Sequence, residues 1–194
     1  MRRQSVLVLE AQGAFAIVEP QAPPRLWHIT SQAVLHGFER GAGPRAGGTS
    51  HRLVSAVEAA REGLLGLSRR LLVRDPPDAF LTAFVLDGEE LVGSVIGEGR
   101  VYVRRPRQRT ERLSPRELPP QGLWTAAFTP FRATVGPGSI VFAGTETAFN
   151  EAAIQRSAQM LDRHPDVHPS TLATALTEPA EQAGTGAAVV VVRV

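Results

Sequence analysis

Two short apolar runs, 6–9 and 14–18, flank Ala11-Gln12-Gly13 and predict a buried β-hairpin. Pro20-Gln21-Ala22-Pro23-Pro24 is expected to break its second strand. Leu26, Ile29, Ala33, Val34 and Phe38 then recur close to helical spacing, which predicts a helix over 26–38. A Gly/Pro-rich loop is expected over 41–48. The clearest helical stripe follows over 50–72, on Leu53, Val54, Val57, Ala60, Leu64, Leu67 and Leu71. Arg74-Asp75-Pro76-Pro77 stops it.

From 79 to 103 the period changes to that of strands. Three β-rich runs are joined by two tight turns, the second being Gly97-Glu98-Gly99-Arg100. A turn so tightly specified is read as aiming side chains. Residues 104–121 are polar and Pro-punctuated, so a surface loop is expected, with a short strand near 109–113. One or two strands are expected over 123–135, then a turn at Pro137-Gly138 and a buried strand over 140–143. Helices are predicted over 150–163 and 170–183. The β-branched run over 187–194 reads as a central strand. This order, ββ-αα-βββ-β-αα-β, predicts an α+β fold of stacked layers.

Composition narrows the picture. At 194 residues the chain is read as a single domain over 1–194. It has no cysteine, which removes disulfides, thiolate metal ligands and a cysteine nucleophile. Its basic residues are all arginine, yet the net charge is only +2, well short of the bias of a nucleic-acid binder. No apolar run reaches the length of a membrane span, and residues 1–5 do not lead into a signal h-region. No membrane partner is expected, and the location is read as cytoplasmic.

Several local patterns carry little chemistry. Gly43-Pro44-Arg45-Ala46-Gly47-Gly48-Thr49-Ser50 has a phosphate-loop look, but Thr49 stands where the lysine belongs. His164 and His168 are four apart, but Pro165 and Pro169 make that segment a loop. Ser94 sits mid-strand and not on a nucleophile elbow. Arg100, Arg104, Arg105, Arg107, Arg109 and Arg112 form a dense run with Tyr102 as its lone aromatic. It is read as a solvated strand edge that discourages edge pairing, with an anionic-ligand module as the competing reading.

Five strings then fall in an informative order. Phe15-Ala16-Ile17-Val18-Glu19-Pro20 ends the early hairpin, and two helices follow it. Ile96-Gly97-Glu98-Gly99-Arg100-Val101-Tyr102 ends a strand pair. Pro137-Gly138-Ser139 leads through Ile140-Val141-Phe142 to Thr145-Glu146-Thr147. Thr185-Gly186-Ala187-Ala188 and four valines close the chain. This succession resembles the PPM-type (type 2C) metal-dependent Ser/Thr protein phosphatases over nearly the whole chain. The family's corresponding strings read FAVADGMGG, VGDSRxY, PGD, SDG and DNxTVVVV.

The resemblance implies a four-layer α-β-β-α sandwich, two antiparallel sheets flanked by helices. It also implies a site where aspartates hold Mg²⁺ or Mn²⁺ and activate water. At the positions that match the family's metal-site aspartates, this chain has Ser5, Glu19, Glu98, Glu146 and Thr185. Three keep the charge on a longer arm and two supply no anion. Pro20 replaces the glycine after the second position. The expectation is a pseudophosphatase with no catalytic residues and no metal cofactor. It would bind a protein (a kinase, a phosphoprotein or an active phosphatase) through the edge formed by Glu19, Glu98, Gly99, Arg100 and Glu146. The alternative is a weak Mg- or Mn-dependent Ser/Thr phosphatase with Glu19, Glu98 and Glu146 as ligands.

Overall fold

The structure, a computed structural model, describes residues 4–43, 47–71, 75–117 and 119–194. Pro44, Arg45 and Ala46 of the glycine-rich loop, Leu72 and Arg74 at the expected helix end, and the first three residues of the chain lie outside them.

β1 (Ser5–Leu9) and β2 (Ala14–Gln21) form the expected hairpin, with Ser5 opposite Val18 and Leu9 opposite Ala14. β2 does not stop at Val18: it runs through Pro20 to Gln21 and pairs with β3 (Asp78–Asp87) along its whole length. The reason is positional. Beyond Val18 there is no β1 residue opposite, so β2 has a partner on one side only, and a strand tolerates a missing N–H there. β4 (Glu90–Ile96) and β7 (Pro130–Thr134) complete a five-stranded antiparallel sheet in the order β1-β2-β3-β4-β7. The 123–135 stretch therefore supplies one strand.

The second sheet has four strands in the order β6-β5-β8-β9: β5 (Arg100–Arg104), β6 (Glu111–Arg112), β8 (Ile140–Gly144) and β9 (Val189–Arg193). β9 lies at the edge of this sheet and not at its centre. Its continuous valine run reflects burial on both faces. Val190 and Val192 pack between the sheets, while Val189 and Val191 pack against the helical layer.

α1 (Trp27–Ala42) and α2 (Gly48–Leu71) cover the first sheet. They pack against each other closely: a Cβ at Gly37 would lie 2.2 Å from the Ala59 carbonyl oxygen. α3 (Glu151–Arg163) and α4 (Pro169–Gln182) cover the second sheet. The period-2 alternation of the strands feeds three cores. Ala14, Ala16, Val18, Leu81, Ala83 and Val85 meet α1 and α2. Phe15, Ile17, Phe84, Val101 and Val141 fill the space between the sheets. Ile140 and Phe142 meet α3 and α4. The molecule is thus an α-β-β-α stack. Among the described residues no helix is long and apolar enough to cross a membrane.

Candidate functional site

One end of the sandwich gathers four of the five residues that the resemblance assigns to a metal site. Glu19 sits near the end of β2, opposite Phe80. Glu98 is the middle residue of the link between β4 and β5. Glu146 begins a short 3-10 turn directly after β8, and Thr185 lies between α4 and β9. These four residues line one pocket of about 300 Å³ with Gln4, Thr147 and Gly184. Ser5 is the first residue of β1 and does not line that pocket; its neighbour Gln4 does.

The Gly97-Glu98-Gly99 link has a structural purpose of its own. β4 belongs to the first sheet and β5 to the second, so these three residues carry the chain across the sandwich. Gly97 has φ of 91°, and a Cβ there would lie 2.2 Å from the Phe80 ring. At Gly99 a Cβ would meet Thr82 Oγ1 at 1.7 Å. Two side-chain-free positions allow the crossing, and Glu98 between them is left exposed.

Local hydrogen bonds fix the rest of the edge. Thr145 is buried; its N–H donates to the Ala188 carbonyl at 3.0 Å, and its Oγ1 accepts from Ala188 N at 3.2 Å. Thr147 Oγ1 donates to the Gly186 carbonyl at 2.8 Å. The Thr145–Thr147 segment is therefore tied to the chain entering β9. Thr185 turns its hydroxyl back to the Ala180 carbonyl at 3.1 Å, where it closes the end of α4.

Charge at this edge is partly internal. Arg100, the first residue of β5, donates through Nη2 to Glu146 Oε1 and through Nη1 to the Phe149 carbonyl at 3.2 Å. One carboxylate of the pocket thus faces a guanidinium. Among the described residues, no group of three His, Asp or Glu is arranged to hold a metal ion. Sequence reading placed Arg100 and Glu146 on the same edge but did not pair them. It also missed Gln4, which carries no signal beyond its position before β1, and Gly184, a left-handed residue with φ of 68° at the end of α4.

The patterns set aside earlier lie elsewhere. Ser94 is buried within β4. His168 is exposed and caps α4, its Nδ1 accepting from Ser170 N at 3.2 Å. Within the rest of the arginine run, Arg104 pairs with Asp162 and Arg105 with Glu111.

No protein-family model matches the chain, and no curated protein matches it. Solved structures do. The Mycobacterium tuberculosis serine/threonine phosphatase PstP matches with a TM-score of 0.76 at 17% identity, over 97% of this chain and 89% of that one. The PPM Ser-Thr phosphatase MsPP from Mycobacterium smegmatis matches with a TM-score of 0.69 at 20% identity, over 98% and 90%. PppA, described as a key regulatory component of T6SS in Pseudomonas aeruginosa, matches with a TM-score of 0.73 at 15% identity, over 100% and 92%. At these identities the likeness is one of fold. The chain has the fold of the PPM-type Ser/Thr phosphatases.

Proposed function

We propose that this chain is a catalytically inactive phosphatase-like domain, a pseudophosphatase that acts by binding a protein in Ser/Thr phosphorylation signalling. The observation that carries the reading is the ion pair that Arg100 makes with Glu146, one of the carboxylates lining the pocket. A two-metal centre needs several carboxylates converging on hard cations, held in place by the groups around them. Here one carboxylate is committed to a fixed cation, Thr185 offers a hydroxyl committed to a helix end, and Ser5 is not part of the lining. Pro20, in its strand beside Ala79, replaces the backbone of a glycine. The donor set does not fit the family's metal centre, so no step is derived through one.

The binding surface in this reading is the same edge: Glu19, Glu98, Gly99, Arg100 and Glu146. Its partner is a kinase, a phosphoprotein or an active phosphatase. The regulatory description of PppA supports a regulatory role for a domain of this fold. One observation favours the second reading, a weak Mg- or Mn-dependent phosphatase: Glu19, Glu98 and Glu146 do line a single pocket.

Calorimetric titration with Mn²⁺ and Mg²⁺, beside turnover of p-nitrophenyl phosphate and a phosphopeptide, separates the two readings. The expected result is neither saturable metal binding nor turnover above the buffer rate. Metal-dependent turnover that disappears in Glu19→Ala establishes the second reading and overturns the first.

A further inference from the structure

The arginine run leaves one cleft unexplained, and it lies far from the pocket described above. Arg100 pairs with Gly144 at one end of β5, whereas Arg104 pairs with Ile140 at the other. Four residues of strand separate the two places, about 13 Å. Beyond Arg104 a cleft of about 420 Å³ opens between the β5–β6 turn, the end of β9 and the segment after α3. Arg104, Arg105, Arg107 and Arg193 line it, against Asp162 and Asp166.

The turn itself is the informative part. Gln108 N–H donates to the Arg105 carbonyl at 3.0 Å, with Pro106 and Arg107 between them. Pro106 suits its position, which wants a fixed negative φ. Arg107 does not suit the next one. Its φ is 60°, where Gly or Asn is preferred, and it is the sole non-glycine residue with positive φ among those described. A long cationic side chain is kept where the backbone favours glycine. Such a mismatch points from an observed strain to a role for the side chain.

The other guanidinium groups are held in place around it. Arg104 bonds Asp162. Arg105 bonds Glu111 Oε2 at 2.6 Å and the Thr134 carbonyl at 3.2 Å. Arg193 bonds the Val167 carbonyl at 2.7 Å. A guanidinium has five N–H donors, so each keeps several to offer. Among the described residues Arg107 makes no hydrogen bond or ion pair, and neither does Asp166. Counting Glu111, which Arg105 bonds, the four arginines face three carboxylates and keep a surplus of one positive charge.

We infer that this cleft takes a phosphorylated segment of a partner protein, with the phosphate ester meeting its arginines and Arg107 foremost. A phosphate monoester carries close to two negative charges and three strong acceptors, which suits the unpaired Arg107 and the forked donors around it. Ile140, Leu161, Pro106 and Pro165 give the walls apolar surface for flanking side chains. No aromatic residue lines the cleft, which disfavours single-stranded nucleic acid because bases need stacking platforms. The inference does not depend on the reading of the Glu146 pocket, and its test is separate.

The test is fluorescence anisotropy of the full chain with a labelled peptide pool carrying one phosphoserine among apolar flanks. The arms are the unphosphorylated pool, inorganic phosphate as competitor and a single-stranded oligonucleotide. The phosphorylated pool is expected to bind about tenfold or more tighter than the unphosphorylated one. Arg107→Gly is expected to weaken that binding about fivefold or more while the melting temperature stays at or above that of the wild type, since glycine relieves the turn. Asp166→Asn is expected to tighten binding, and Arg40→Ala, which removes an exposed charge on α1, to leave it within about twofold. Equal affinity for both pools, no binding up to millimolar protein, or wild-type binding by Arg107→Gly overturns the inference. So does tighter, steeply salt-dependent binding of the oligonucleotide.

Discussion

Gly97, Glu98 and Gly99 show how one short string serves two purposes that sequence alone does not separate. Read as a string, they mark a position where a family aspartate would be aimed at a metal. In the structure the two glycines are demanded by crowding: Phe80 fills the space beside one, and Thr82 and the Gly144 carbonyl fill the space beside the other. Gly97→Ala and Gly99→Ala are therefore expected to destabilise the fold by about 1–3 kcal/mol each, because the intruding methyl has no free volume. Glu98→Ala, at an exposed position between them, is expected to stay within about 0.5 kcal/mol of the wild type. Urea denaturation of the three variants tests the pair of claims; equal losses at all three positions would contradict them. The convergence of Glu19, Glu98, Glu146 and Thr185 was legible through the order of strings. The Arg100–Glu146 pair was not, because residues 46 apart in sequence meet only when β5 and β8 are in register.

At the scale of elements, α1 and α2 were legible because each carries an apolar stripe at helical spacing, and the strands because short apolar runs alternate with turns. Two misreadings have a common cause. The 20–24 segment was expected to break β2 after Val18, though the strand ends only at Gln21, and the valines of β9 were expected to mark a central strand. Both expectations equate composition with position in a sheet. Composition reports how many faces are covered, whereas sheet order decides which edge is open, and that depends on partners remote in sequence. Asp78, at the start of β3, illustrates such a remote contact. Its Oδ1 accepts from Ala79 N at 2.7 Å and from Trp124 N at 3.4 Å, so it pins β3 to the 122–124 turn. Burial raises its pKa above the ordinary 3.8, and the N–H bonds from Ala79, Trp124 and Leu123 only partly offset that. The native state thus holds this proton more tightly than the unfolded chain. The Asp78 contribution to stability is present below pH 3.8 and is lost as pH rises through the raised native value. Asn keeps the Oδ1 acceptor, and Leu123 N already bonds the Ala79 carbonyl at 3.0 Å. Asp78→Asn is expected to be more stable than the wild type at pH 7, with the difference shrinking on acidification. Thermal melts across that range test it, and a variant less stable at pH 7 than at pH 3 relative to wild type would reverse the sign.

At the scale of the molecule, the Glu146 pocket joins both sheets: Glu19 comes from the first, Glu146 follows a strand of the second, and Glu98 sits on the link between them. A divalent ion held there would cross-link the sandwich and stabilise it. At a concentration about 100 times its dissociation constant, such an ion adds about 2.7 kcal/mol. For a domain of this length that amounts to a rise of roughly 5–11 °C in melting temperature. Arg100 already makes a cross-strand tie to Glu146 without a metal, and the pair is partly exposed, so it contributes about 1 kcal/mol or less. The tie is worth less than a tightly held ion, but it needs no ligand. The melting temperature of the wild type is therefore expected to be the same with EDTA and with millimolar Mn²⁺ or Mg²⁺. Arg100→Ala is expected to melt a few degrees lower in EDTA, since it loses both the Glu146 and the Phe149 contacts. A metal-dependent rise of several degrees in the wild type would mean that Glu146 leaves Arg100 for an ion, and the domain would then have to be treated as an enzyme with glutamate ligands.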